Sequence, residues 1–155
     1  MPFNRIRRRE FVTLLGSAVA WPLVARAEKP SKIYRIAMFG AGSGLSPKHW
    51  SILADGLREL GWIEGRNVAF EQRYAENETE RLPELAAELV RLDVDVIVAF
   101  GTLAPLAAKQ ATATIPIVMA SAGDPVGSGL VASLARPGGN ITGLSLVAPE
   151  LGGFP

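Results

Sequence analysis

The chain has 155 residues, 48% hydrophobic and 20% charged, with a formal net charge of +1. That composition can build one globular core and excludes a disordered or fibrous chain. No cysteine is present, which excludes disulfides, thiolate metal sites, thiol catalysis and a lipidated N-terminal cysteine. Through Ala27, five arginines face one glutamate, a net of +4; the rest carries eleven basic against fourteen acidic residues, a net of −3. A mildly acidic body argues against a nucleic-acid partner.

Residues 1–27 read as an export leader. Arg5, Arg7, Arg8 and Arg9 form a basic start, and 12–24 is apolar but shorter than the roughly 20 residues a membrane-spanning helix needs. Ala25-Arg26-Ala27 offers a signal-peptidase site. Arg8-Arg9-Glu10-Phe11-Val12 looks like a twin-arginine signal, with an ordinary secretory signal as the alternative.

The body, 28–155, alternates strand and helix signals. Tyr34 to Phe39 is an apolar run that predicts a first strand, followed by a Gly40-Ala41-Gly42-Ser43-Gly44 loop. Ser46 and Pro47 are placed to cap and open a helix. Ile52, Leu53, Leu57 and Leu60 recur in it at helical spacing, and Gly61 ends it. Val68 to Arg73 alternates as a second strand. Asn77 or Thr79 starts the next helix, with Pro83 early and Leu82, Leu85, Ala86, Leu89 and Leu92 on one side.

Asp93 to Thr102 holds Val94, Val96, Ile97, Val98, Ala99 and Phe100 in one short run. Such a run predicts a third strand buried on both faces, in the middle of a parallel sheet. An Ala-rich helix over 103–111 follows. A fourth strand spans Ile115 to Ala120, with Pro116 at its start because proline lacks an amide donor. A small helix is expected over 126–134, then a turn at 136–140 and a fifth strand from Ile141. The order βαβαβαβαβ implies right-handed crossovers, and so an α/β fold: a parallel sheet with helices on both faces.

Ligands of such sheets sit beyond the carboxyl ends of the strands. Ser43, Gly101, Thr102, Ser121 and Asp124 are therefore the candidate ligand-binding residues. Gly101-Thr102 can offer backbone N–H groups to a carboxylate or amide, or Thr102 can simply cap the helix it precedes. Asp124 can pair with an ammonium group, or cap the small helix at Val126. The glycines after the first strand lack the third glycine of a dinucleotide fingerprint, since Leu45 holds that place. His49 is the lone histidine, so no metal site and no catalytic set is proposed, and no cofactor is implied. Trp50 and Trp62 read as packing residues.

Several phrases resemble a known family. They are Ile52 through Leu60-Gly61-Trp62-Ile63-Glu64-Gly65-Arg66-Asn67-Val68, then Leu85-Ala86-Ala87-Glu88-Leu89-Val90, then Asp95-Val96-Ile97-Val98-Ala99, then Ala111-Thr112 to Val118. The most specific is Gly123-Asp124-Pro125-Val126-Gly127 through Ser133-Leu134-Ala135-Arg136-Pro137-Gly138-Gly139-Asn140-Ile141-Thr142-Gly143. Together they resemble the periplasmic substrate-binding proteins of ABC transporters, in the type I, two-lobed branch associated with amino acids. The resemblance implies a lobe that binds a small-molecule solute, no enzymatic activity, a periplasmic location and an ABC permease as partner. It also implies a second lobe after Leu151-Gly152-Gly153, where this chain reads Phe154-Pro155. The expectation is therefore an N-terminal lobe alone. The alternatives are a truncated, non-functional remnant and a Rossmann-like or flavodoxin-like enzyme.

Overall fold

The computed structural model describes residues 32–146; the leader read over 1–27 and residues 147–155 lie outside them. Five strands form one sheet: β1 (Tyr34–Gly40), β2 (Val68–Tyr74), β3 (Val96–Phe100), β4 (Ile117–Ala122) and β5 (Ile141–Ser145). Their spatial order is β2-β1-β3-β4-β5, and every pairing is parallel. Three helices connect them: α1 (Pro47–Glu59), α2 (Leu82–Arg91, preceded by a 3₁₀ turn over Thr79–Arg81) and α3 (Leu103–Ala111). The α/β architecture read from the alternation of elements is the one observed.

Local chemistry explains the helix bounds. Ser46 is extended at the start of α1 and its hydroxyl accepts from the His49 amide at 3.4 Å, while Pro47 opens the first turn. Gly61 has φ of 86° just beyond the other end. The Gly61 and Trp62 amides there donate to the carbonyls of Arg58 and Leu57, satisfying the last turn. Pro116 stands immediately before β4, and its carbonyl accepts from the Ile97 amide at 2.9 Å.

The two faces of the sheet differ. The path steps from β1 outward to β2, then back across β1 to β3, β4 and β5 in the opposite direction. Right-handed crossovers must change face when the direction reverses. On one face Ala37, Phe39, Ile97, Ala99, Ile117 and Met119 are buried with Leu82, Leu85, Ala86 and Leu89 of α2 and Ala104, Ala107 and Ala108 of α3. Burying each large side chain there contributes on the order of 1.5–3 kcal/mol. Among the described elements the other face has only α1, which buries none of its own residues fully and lies at the β2–β1 end of the sheet. Trp50 packs edge-on to Phe70 of β2 with ring centroids 4.9 Å apart, and Trp62 likewise to Tyr34 of β1 at 5.4 Å.

Two expectations are corrected. The third strand is not buried on both faces: Ile97 and Ala99 are buried, whereas Val96, Val98 and Phe100 are half-buried. Its apolar run is continuous, but no described connection crosses the second face at β3. The segment 126–134 is not a helix; it is a series of turns. Asp124 opens a single helical turn, its carboxylate accepting from the Gly127 amide and its carbonyl from the Ser128 amide at 2.9 Å, but Gly129 takes φ of 75° and stops the ladder before it can propagate. The segment still does a helix's packing work. Leu130 and Val131 are buried against the core. The Lys109 ammonium, from the last turn of α3, donates to the carbonyls of Gly129 and Leu130 at 2.7 and 3.2 Å. Beyond the turns, β5 lies so close to β4 that a Cβ at Gly143 would fall 2.1 Å from the Met119 carbonyl oxygen.

Candidate functional site

The carboxyl ends of the strands form one edge, and all five candidate residues lie along it. Ser43 is in the loop after β1, Gly101 and Thr102 follow β3, Ser121 is near the end of β4, and Asp124 is two residues past that strand. Ser43, Ser121 and Asp124 are exposed; Gly101 and Thr102 are half-buried.

The structure brings some of them together. Gly101 has φ of 75°, and its amide donates to the Ala120 carbonyl at 3.1 Å, extending the β3–β4 pairing past the strand end. Thr102 occupies the cap position of α3, yet its backbone is already helical and its side chain makes no cap hydrogen bond. Its Oγ1 instead accepts from the Gly123 amide at 3.1 Å. The side-chain capping role that the sequence left open for Thr102 is therefore not the one observed. The first turn of α3, at the positive end of the helix dipole, therefore has no side-chain cap from Thr102, and Ala104 within it is fully buried.

Ser121 adopts φ of 61°, a conformation uncommon outside glycine, and its hydroxyl donates to the Ala120 carbonyl at 2.6 Å. Asp124 makes the cap-type hydrogen bond, but onto a single turn rather than the expected helix. One carboxylate oxygen accepts from the Gly127 amide at 2.8 Å in a tight turn. A Cβ at Gly127 would lie 2.0 Å from the other oxygen, so the small residue lets the turn close. Ser43 stands apart from this group; no hydrogen bond joins it to Thr102 or Asp124.

Sequence reasoning missed Gly123 and Ser145 at this edge. The Ser145 hydroxyl donates to the Gly123 carbonyl at 3.3 Å, and the Leu146 amide to the Ala122 carbonyl at 2.8 Å. Only the pairing of β4 with β5 brings 145 beside 123. Tyr74, at the end of β2, was also missed. A Cβ at Gly44 (φ 94°) would lie 2.8 Å from its Cε2, and one at Gly40 3.2 Å from its Cδ1. The glycines after β1 thus make room for a tyrosine ring rather than a pyrophosphate. Burial pushes the Tyr74 phenol up from its ordinary value, with the Leu45 backbone acting the other way.

The opposite edge is built for anchoring. Asp95 accepts from the Arg35 amide at 2.8 Å and pairs with Lys32; the Lys32 contact and then the Arg35 amide hold its carboxyl below the usual range. Beside it Tyr34, Ile36, Leu57, Trp62 and Val96 line an apolar recess of about 330 Å³ on the face that α1 only partly covers. Among the described residues, no three His, Cys, Asp or Glu side chains are grouped to hold a metal ion.

A family model, ABC transporter substrate binding protein, matches residues 41–150. The chain belongs to that family. A tyrosine-binding protein of Clostridioides difficile is 38% identical over 89 residues, which cover 57% of this chain and 26% of that one. Among solved structures, a conserved domain protein of Vibrio cholerae O1 biovar El Tor superposes with a TM-score of 0.69 at 35% identity, covering 76% of this chain and 40% of that one. An ABC domain from Streptococcus pneumonia in complex with L-Trp gives 0.66 at 29% identity, covering 74% and 39%. A ligand-free, open substrate binding protein with adhesive properties from Clostridium difficile gives 0.66 at 28%, covering 73% and 39%. This ABC substrate-binding chain therefore spans between a quarter and two fifths of these relatives' length.

Proposed function

We propose that this chain is the N-terminal solute-binding lobe of an ABC-type importer. It takes an amino acid at the carboxyl edge of its sheet and, together with a second lobe, delivers it to a membrane permease. One observation carries the reading. Groups of opposite character share that edge: Thr102 at the amino end of α3, whose first turn receives no side-chain cap from it, and the exposed carboxylate of Asp124 beyond β4. The first suits a carboxylate and the second an ammonium group. A relative described as tyrosine-binding and a structural neighbour in complex with L-Trp support an aromatic amino acid as the solute. Ser43, Gly101 and Ser121 would line the same rim, and closure of a second lobe would complete the contacts. The leader over 1–27, with its twin-arginine-like pair, supports export to the periplasm.

The test is a thermal-shift screen of the full chain against aromatic amino acids, small organic acids and nucleotides, because a ligand that binds only the folded state raises the melting point. Stabilisation by tyrosine or tryptophan is the expected result. Stabilisation by nucleotides alone would overturn it.

A further inference from the structure

The loop that carries Ser121 and Asp124 is gripped from both sides at one residue. The Gly123 amide donates to Thr102 Oγ1 at 3.1 Å, and the Gly123 carbonyl accepts from the Ser145 hydroxyl at 3.3 Å. Three strand ends, those of β3, β4 and β5, are thereby tied together outside the sheet's own ladder. The tie sits where the backbone is least comfortable. Ser121 is left-handed without being glycine, which costs on the order of 1 kcal/mol or more, and the β4–β5 register shifts between Met119 and Ala122. Such a conformation persists only when its surroundings hold it.

We propose that Thr102 and Ser145 are positioning residues: through Gly123 they hold the 121–124 loop in a binding-ready shape, so that Asp124 faces the solute without first having to be ordered. This rests on the solute-binding reading above and adds to it. The chemistry of Thr102 fits two tasks. The Gly123 amide occupies a lone pair of Oγ1, and the hydroxyl hydrogen stays available to donate in another direction. Valine at 102 keeps the shape and removes both functions; serine restores the hydroxyl. Preorganisation of this kind raises affinity by removing an ordering cost.

The experiment uses the full 155-residue chain with Thr102→Val, Thr102→Ser and Ser145→Ala. Two quantities are read: amide hydrogen exchange at Gly123, and the affinity for tyrosine and tryptophan by calorimetry. Thr102→Val is expected to speed exchange at Gly123 and weaken binding by about ten-fold, the scale of one hydrogen bond. Thr102→Ser should restore both, and Ser145→Ala should weaken binding by a few-fold. Unchanged exchange in Thr102→Val would remove the tie itself. Faster exchange with wild-type affinity would leave the tie and remove its positioning role. If the wild type binds neither amino acid, the solute-binding reading fails and the positioning role falls with it, while exchange still decides whether the tie exists.

Discussion

The two faces of the sheet are made of similar residues and live in different surroundings. On one, Ile97, Ala99, Ile117 and Met119 are sealed by α2, α3 and the turns around Leu130. On the other, Val96, Val98 and Phe100 alternate with them along the same strand and stay half-open, and Leu144 of β5 is 76% exposed. Composition does not separate the faces. The route of the chain does, because a reversal of direction sends every connection after β2 to one side. Stability should therefore reside mainly on the sealed face, and the open face should tolerate change around β3 and β5, though not at Met38 of β1, which is fully buried on it.

Neighbouring substitutions on β3 give the sharpest way to break that contrast. Ile97→Ala removes a side chain with no exposed surface, and a loss of about 2–5 kcal/mol is expected in urea unfolding. Val98→Ala, one residue on and facing the other way, should cost about 1 kcal/mol, since fewer methyl groups leave a half-open site. Equal costs would show that the second face is sealed after all.

Asp95 sharpens the contrast at the amino end of the open face, where an ion pair borders the apolar recess. Its carboxyl is held below the usual range by Lys32 first and the Arg35 amide second. A depressed folded-state value stabilises the fold above the ordinary carboxylate range and loses that contribution as pH falls through the depressed value. Asp95→Asn should thus lower stability only slightly at neutral pH, given the exposure of the pair. The gap to wild type should close on acidification, checked by unfolding curves across pH. A gap independent of pH would mean that geometry, not charge, is what Asp95 supplies.

The smallest effect is expected at Leu144→Ser. A side chain this exposed contributes little to the folded state, and the change should stay within about 0.5 kcal/mol. A loss above 2 kcal/mol would show that β5 is covered from the open side.

Much of the fold was legible along the chain because its signals are local. Short β-branched runs, the Ser46-Pro47 helix start, the glycine stop at Gly61 and the proline ahead of β4 each act within a few residues. The edge that gathers Ser43, Thr102, Ser121 and Asp124 followed from topology alone, since parallel strands share one carboxyl end. The expected helix over 126–134 failed for a reason that is also partly local: the left-handed Gly129 stops the turn that Asp124 opens and outweighs the apolar spacing of Leu130, Val131 and Leu134.

What no window of sequence carries is the pairing of residues far apart. Thr102 has a nearby helix to cap and turns instead to Gly123, twenty-one residues away. Ser145 reaches the same glycine from twenty-two residues beyond it. Tyr74 fills the space left by glycines thirty or more positions earlier. The amino-acid sequence by itself determined which segments become strands and helices and that they align in parallel, because periodicity and capping act over one or two turns. Only the tertiary structure decided which face is sealed and which hydroxyl meets which amide, because those contacts exist only after the crossovers have brought distant strand ends side by side.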